Sequence, residues 1–310
     1  MILKIKELVM LFSLLLLPSV SFAGILFEEH FEDTNFSSRG WYDGTGGAIT
    51  TSQYKTGAHA YECHFLSGGT NCAGGDPRRM KVTQTDSIYI GYWLKLSSNW
   101  VGSKLSYHPH MIYLMTNLNG DYDGFYGTYT TAYSELSGVH PRMGLQDASN
   151  IDNTKIGVNL CNTTEIRAVN GCNGICDDPA RWDLQDCYDG GGGVYLNGRM
   201  TTPSLSLTTN SWHFVEVYYK MNSISGGKGQ NDGIMQMWVD GTKLVDFHDI
   251  IYRTNQHPTM QFNQFALSPY IGDGSPIDQY LWIDDLVVAT SRPSQSTTQP
   301  SPPASLKVIR

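Results

Sequence analysis

The chain has 310 residues, 16% of them charged, with 21 Lys and Arg against 29 Asp and Glu and a formal net charge of −8. An acidic chain with no basic run lacks the field that draws nucleic acid or an anionic membrane surface, which argues against both as partners. With 32 glycines and more tyrosine (18) than phenylalanine (11), the composition suits one large, turn-rich all-β domain with many aromatic faces.

At the N-terminus, Lys4 and Lys6 precede an apolar run from Leu8 to Leu17, and Ser21 and Ala23 stand at −3 and −1 of a cut before Gly24. This pattern reads as a secretory signal peptide over residues 1–23, too short for a membrane span, and predicts a secreted, extracellular or periplasmic protein. Cleavage takes away two lysines and one glutamate, leaving 19 basic against 28 acidic residues and a net charge of −9. No later segment is long and apolar enough to cross a bilayer.

From Ile25 onward, apolar alternation and turn residues predict strands in ILFEEHF, HAYECHF, SIYIGYWLKL, HMIYLMT, FYGTYTT, WHFVEVYYKM, GIMQMWVD, TKLVDF, MQFNQFAL and QYLWIDDLVV. Asp240-Gly241 supplies the positive φ of a tight hairpin. The best short helix candidate is DDPARW, with proline at an early helical position. Many strands without intervening helices imply a sandwich or barrel. Within WHFVEVYYKM, Trp212, Phe214, Glu216, Tyr218 and Lys220 share one face, aromatic with charges between, on which sugar rings can stack.

Six cysteines in an exported chain predict three disulfides. Cys63 and Cys72 close a short loop. Cys161, Cys172, Cys176 and Cys187 lie in a polar insert over about 161–193, and pair either as Cys161–Cys187 with Cys172–Cys176 or as Cys161–Cys172 with Cys176–Cys187. A four-cysteine zinc site is disfavoured, because the gaps give no second tight pair. After residue 292 the chain turns to Ser, Thr, Gln and Pro, a linker or tail over 293–310 that cannot bury a core.

The segment SWHFVEVYYKMNSISGGKGQNDGIMQMWVDGTKLVDF, with DQYLWIDDLVVATSRP after it and ILFEEHFED at the start, resembles concanavalin A-like jelly rolls. The likeness is to secreted polysaccharide lyases of the glucuronan, alginate and heparin lyase type and their non-catalytic relatives. It covers most of residues 25–292 and implies a two-sheet antiparallel sandwich over 24–292, carrying the disulfide-stapled insert, with the first strand beside the last. It further implies a structural calcium where those strands meet, held by Asp284 with Glu29 as a second carboxylate and loop backbone completing the shell. Asp285 then faces solvent or a loop. The alternative for Asp284 is a carboxylate bonded to backbone N–H groups. Asn119, Asp121 and Asp123 begin a calcium-loop pattern, but Thr130 stands at the twelfth position in place of glutamate, so a polar turn is the better reading.

Glycoside hydrolysis needs paired carboxylates on one face. No Glu-x-Asp occurs, and seven glutamates remain after residue 23. β-Elimination needs a group for the uronate carboxylate, a base and an acid. Candidates are His108 and His110 on one face of a strand, Tyr113 on the opposite face of a regular strand, His140, Arg142 and Gln146, and Tyr218, Tyr219 and Lys220. YSELS carries Glu135 without the arginines of an alginate-lyase signature, and no Gln-Ile-His occurs. The sequence therefore favours polysaccharide binding without chemistry, with lyase activity on a uronate polymer as the alternative. The expected binding residues are His110, Arg142, Tyr218 and Lys220 on the concave sheet. If the chain is a lyase, His110, Arg142 and Tyr218 carry the chemistry. No organic cofactor is implied.

Overall fold

The computed structural model describes residues 24–105, 108–125, 128–147, 188–189, 194–197, 201–250, 252–253, 255 and 257–293. The expected signal peptide, Cys161, Cys172, Cys176 and Cys187, the DDPARW segment and the C-terminal tail lie outside the described residues. In chain order the strands are β1 (Ile25–Glu29), β2 (Tyr42–Thr45), β3 (Ala48–Thr50), β4 (Ala60–Phe65), β5 (Pro77–Thr85), β6 (Ser87–Leu96), β7 (His110–Thr116), β8 (Thr131–Ser137) and β9 (His140–Asp147). They continue as β10 (Tyr188–Asp189), β11 (Val194–Asn197), β12 (Trp212–Lys220), β13 (Ile224–Ser225), β14 (Lys228–Gly229), β15 (Gly233–Val239), β16 (Thr242–Ile250), β17 (Phe262–Tyr270) and β18 (Gln279–Ala289). Among the described residues one 3-10 turn, Phe36–Arg39, is the only helical element.

Two antiparallel sheets form a jelly-roll sandwich. The β6 sheet runs β16–β15–β12–β6–β18–β4–β3, with β1 also on β18; the β7 sheet runs β10–β11–β9–β8–β7–β17–β5–β2. Alternation decides what each sheet buries. Ile88, Ile90, Tyr92 and Leu94 of β6 and Val215, Val217 and Tyr219 of β12 point inward and meet Leu114, Met143, Leu145 and Phe265 of the other sheet in one core. Burying each such side chain is worth ~1.5–3 kcal/mol, so a one-residue slip of β6 would lose several times what one contact contributes. Two buried hydroxyls bond across the layers: Tyr92 to the Ser134 hydroxyl at 2.8 Å, and Tyr219 to the Tyr133 carbonyl at 2.5 Å. A phenol in such a core keeps its burial only with a partner.

The last strand carries the bulge that joins β1 to the sheet. Its first half pairs with β4, its second half with β1, and the register against β6 shifts between Asp284 and Val287. Asp285 takes a positive φ of 45° there, a conformation aspartate tolerates better than most residues. The Asp240-Gly241 hairpin joins β15 to β16 with φ of 49° and 79°, and Cys63 is bonded to Cys72, both as the sequence predicts. One strand expectation needs correction. Of the run FYGTYTT, the described residues Phe125, Thr128, Tyr129 and Thr130 lie outside any strand, and β8 begins at Thr131 after Thr130 at φ 62°. Strand β5 was not foreseen, because its PRRMKVTQT sequence carries polar side chains that mask the alternation.

Candidate functional site

Cross-strand register gathers the site on the outward face of the β7 sheet. Arg142 of β9 faces Glu135 of β8, which faces His110 of β7; Gly144, Tyr133 and Tyr113 form the next row. Directly opposed residues share a face. A regular β7 would put Tyr113 on the face opposite His110. The strand has an irregularity between His110 and Ile112, opposite the consecutive Glu135 and Ser134, which brings Tyr113 round to the side of His110. Met115 and Ala266 continue the face, and with Tyr113 and Tyr133 they make a small apolar cluster separate from the main core.

Glu135 is the hinge of the polar row. Its side chain is fully buried, with Arg142 Nε 3.0 Å from one carboxylate oxygen and His110 Nδ1 in close contact with the other. A buried carboxylate needs such partners. With Nδ1 turned to the carboxylate, the tautomer this contact favours carries its hydrogen there, and Nε2 is the basic nitrogen. His110 keeps 23% of its side chain exposed. Its ring lies 4.7 Å from His108, 5.4 Å from Tyr133 and 5.9 Å from Tyr113. Burial, with the neighbouring His110, lowers the pKa of His108 despite the opposing pull of Asp273. Burial drives Tyr113 well above the usual phenol range, with Tyr133 and Glu135 adding to it, so its hydroxyl stays protonated.

The same face continues through β17 and β5 to β2. Ala266 faces Tyr113 on one side and Arg79 on the other, and Arg79 faces Tyr42. Arg79 is buried; its Nε donates to Asp43 at 2.7 Å, and its guanidinium lies 4.6 Å from the Phe125 ring centroid. Burial pushes Tyr42 up to about 12. The loop after β7 folds over this half of the face. Phe125 stacks on Tyr113 at 4.2 Å, and the Asp123 carbonyl accepts from Arg79. In that loop the Asp123 carboxylate accepts from Gly120 N at 2.7 Å, the polar turn expected of Asn119–Asp123.

His110 and Arg142 therefore meet as predicted, through Glu135, which sequence reasoning noted only as part of an incomplete signature. Tyr218 and Lys220 do not join them. They share a face of β12, as alternation requires, but β12 lies in the β6 sheet, where Tyr218 faces Tyr89 and Lys220 faces Ser87. The aromatic rings beside them are covered by cations of the same chain: Lys55 lies over Trp93 at 4.1 Å, and Arg292 over Trp238 at 4.6 Å. His140 turns to the Leu205 carbonyl at 2.8 Å, away from the row.

Glu29 and Asp284 are both buried, but their surroundings suit anions. Asp284 accepts from the backbone N–H groups of Lys55 (2.7 Å), Thr56 (3.0 Å) and Asp285 (2.8 Å). Burial raises its pKa against the lowering pull of those amides. Glu29 accepts from Phe31 N at 3.0 Å, Arg39 Nε at 2.8 Å and Trp41 Nε1 at 2.8 Å. N–H donors complement carboxylates and oppose a cation, so these donor sets do not fit calcium, which takes oxygen ligands. Asp285 reaches the loop, bonding Thr56 Oγ1 at 2.5 Å and His30 at 2.7 Å.

No family model matches the chain, and no curated protein matches it. Among solved structures it is similar to a marine alginate lyase from Aplysia kurodai, with a TM-score of 0.51 at 11% identity, over 86% of this chain and 99% of that one. It is also similar to an endo-β-1,4-glucuronan lyase from the fungus Trichoderma reesei (TM-score 0.46, 15% identity, 87% and 95% covered) and to a cellulose-induced protein (TM-score 0.41, 11% identity, 87% and 100% covered). The fold it shares with the Aplysia kurodai enzyme is the two-sheet antiparallel jelly roll.

Proposed function

We propose that the chain is an exported polysaccharide-binding protein that receives a uronate-containing polymer on the outward face of the β7 sheet. The observation that carries this reading is the Arg142–Glu135–His110 row, fixed by a buried ion pair and bordered by tyrosines. Arg142 offers a planar fork suited to a uronate carboxylate, in a chain whose overall charge would otherwise repel an acidic polymer. His110 and the tyrosine rings supply hydrogen bonds and stacking surface for the sugar. The signal-peptide pattern at residues 1–23 supports export.

β-Elimination is the second reading, favoured by the carboxylate on His110 Nδ1. In that chemistry His110 Nε2 takes the C5 proton while Arg142 offsets the uronate charge. The electron pair of the C5–H bond becomes the C4–C5 double bond, the C4–O bond breaks, and a tyrosine hydroxyl protonates the leaving oxygen. Tyr113 has the protonation state for the last task, yet Phe125 covers its ring. Binding is therefore the better-supported function. The test is affinity electrophoresis of the wild-type protein in uronate and neutral polymers, with ultraviolet absorbance of each mixture followed in parallel. The proposal predicts retardation by a uronate polymer without a rise in absorbance. A rise from unsaturated product would establish the lyase, and free migration in every polymer would contradict both readings.

A further inference from the structure

We infer that strands β2, β5 and β17 hold a second sugar subsite, closed in this structure by Phe125, in which the side-chain amine of Gln264 donates to an oxygen of the bound polymer. The inference rests on the polysaccharide reading and extends the binding face beyond Arg142 and His110.

Gln264 is fully buried on the outward face of β17, opposite Met115 on one side and Lys81 on the other. Its carbonyl oxygen accepts from Arg79 Nη1 at 3.4 Å and from the Tyr42 hydroxyl at 3.3 Å. Those two donors fix the amide orientation, because the flipped amide would set an NH2 group against the guanidinium. The Nε2 amine has no hydrogen-bond partner. A buried donor left unpaired loses its hydration with nothing returned, so such a group asks for an acceptor that the chain itself does not supply.

What lies over this end of the face is the loop after β7. Phe125 stacks between Tyr113 and the Arg79 guanidinium, and Tyr122 sets its edge 5.6 Å from Tyr42 while remaining 70% exposed. Phe125 belongs to the small apolar cluster on the outward face, so its departure leaves the main core intact. A hexuronate unit in its place would bring ring oxygens and hydroxyls to Gln264 Nε2, aromatic contact from Tyr42 and Tyr113, and the cation of Arg79 nearby. Such a unit would be a neighbour, along the polymer, of the one at Arg142.

The test titrates uronate oligosaccharides from disaccharide to octasaccharide into the wild type, Phe125→Ala, the double variant Phe125→Ala/Gln264→Glu, and Arg142→Ala. Gln264→Glu keeps the acceptor for Arg79 and Tyr42 but exchanges the donor NH2 for a carboxylate oxygen and adds a negative charge. Each titration is therefore repeated at high salt, where a loss due to charge repulsion recovers and the loss of the hydrogen bond does not. Melting curves confirm that each variant is folded. Phe125→Ala should bind the longer oligosaccharides about tenfold more tightly than the wild type, the fold-change one hydrogen bond to a buried donor supplies, with the disaccharide unchanged. Gln264→Glu should cancel that gain, and Arg142→Ala should weaken every length. Wild-type binding with no gain in Phe125→Ala, or a gain that survives Gln264→Glu, overturns the subsite and leaves the polysaccharide reading standing. Absence of binding in both the wild type and Phe125→Ala overturns the two together.

Discussion

Glu135 is the residue on which the polar row depends, and its removal gives a quantitative test. Its side chain is fully buried, and the Arg142 side chain beside it is 10% exposed, so neither charge is well solvated if the other is lost. Removing one partner from a buried pair costs ~3–5 kcal/mol, mostly through the charge left behind. Glu135→Gln should therefore lose ~3–5 kcal/mol in urea denaturation, which corresponds to ~6–20 °C in melting temperature for a domain of this size. Arg142→Met should lose a similar amount. The double variant should cost less than the sum, with a coupling energy of ~0.5–3 kcal/mol, because removing the second charge relieves the penalty left by the first. Single variants within ~0.5 kcal/mol of the wild type would refute the reasoning, since that is the range of ordinary surface substitutions.

Replacing Cys63 and Cys72 by alanine should cost ~2–3 kcal/mol in the same assay, the loop-closure value for a sequence separation of 9; an unchanged midpoint would contradict it. Burial works most strongly on His213, against its charged form, but the 2.7 Å hydrogen bond to Asp240, the charge of that carboxylate and the Thr208 backbone together outweigh it and raise the pKa above the ordinary histidine value. The resulting stabilisation is fully present below about pH 6.5 and is lost as pH rises through the raised value. The melting-temperature gap between the wild type and His213→Gln should accordingly be widest in acid and narrow toward alkaline pH; a gap that widens with pH would reverse the sign. The N–H donors around Asp284 and Glu29 predict the same melting temperature with and without a chelator. A fall that added calcium restores would show a cation displacing those amides.

Much of the fold is legible in the sequence because a strand's period of two is local. The faces of β12 and the Asp240-Gly241 turn follow from short stretches, and the pairing of first and last strands from the jelly-roll resemblance. Sheet membership does not, since alternation fixes which residues share a face of one strand and says nothing of which strand lies beside it. That is why Tyr218 and Lys220 fall on the other sheet from His110 and Arg142. The irregularity before Ile112 is equally silent in the sequence, yet it decides that Tyr113 joins the site. Glu135 carried a usable signal: it shares parity with Tyr133 in TAYSELS, and a carboxylate on a strand face calls for a cationic neighbour. Arg79 and Gln264 had none, because their partners come from β2, β5, β17 and a loop far apart in the chain.

The central claim is that polymer binds the outward face of the β7 sheet and not that of the β6 sheet. Affinity electrophoresis in a uronate polymer that retards the wild type tests it directly, using Arg142→Ala and His110→Ala on one sheet and Tyr218→Ala and Lys220→Ala on the other. The account predicts that the first pair loses retardation and the second pair keeps it. Loss of retardation in Tyr218→Ala or Lys220→Ala, with Arg142→Ala and His110→Ala still retarded as the wild type is, would contradict it.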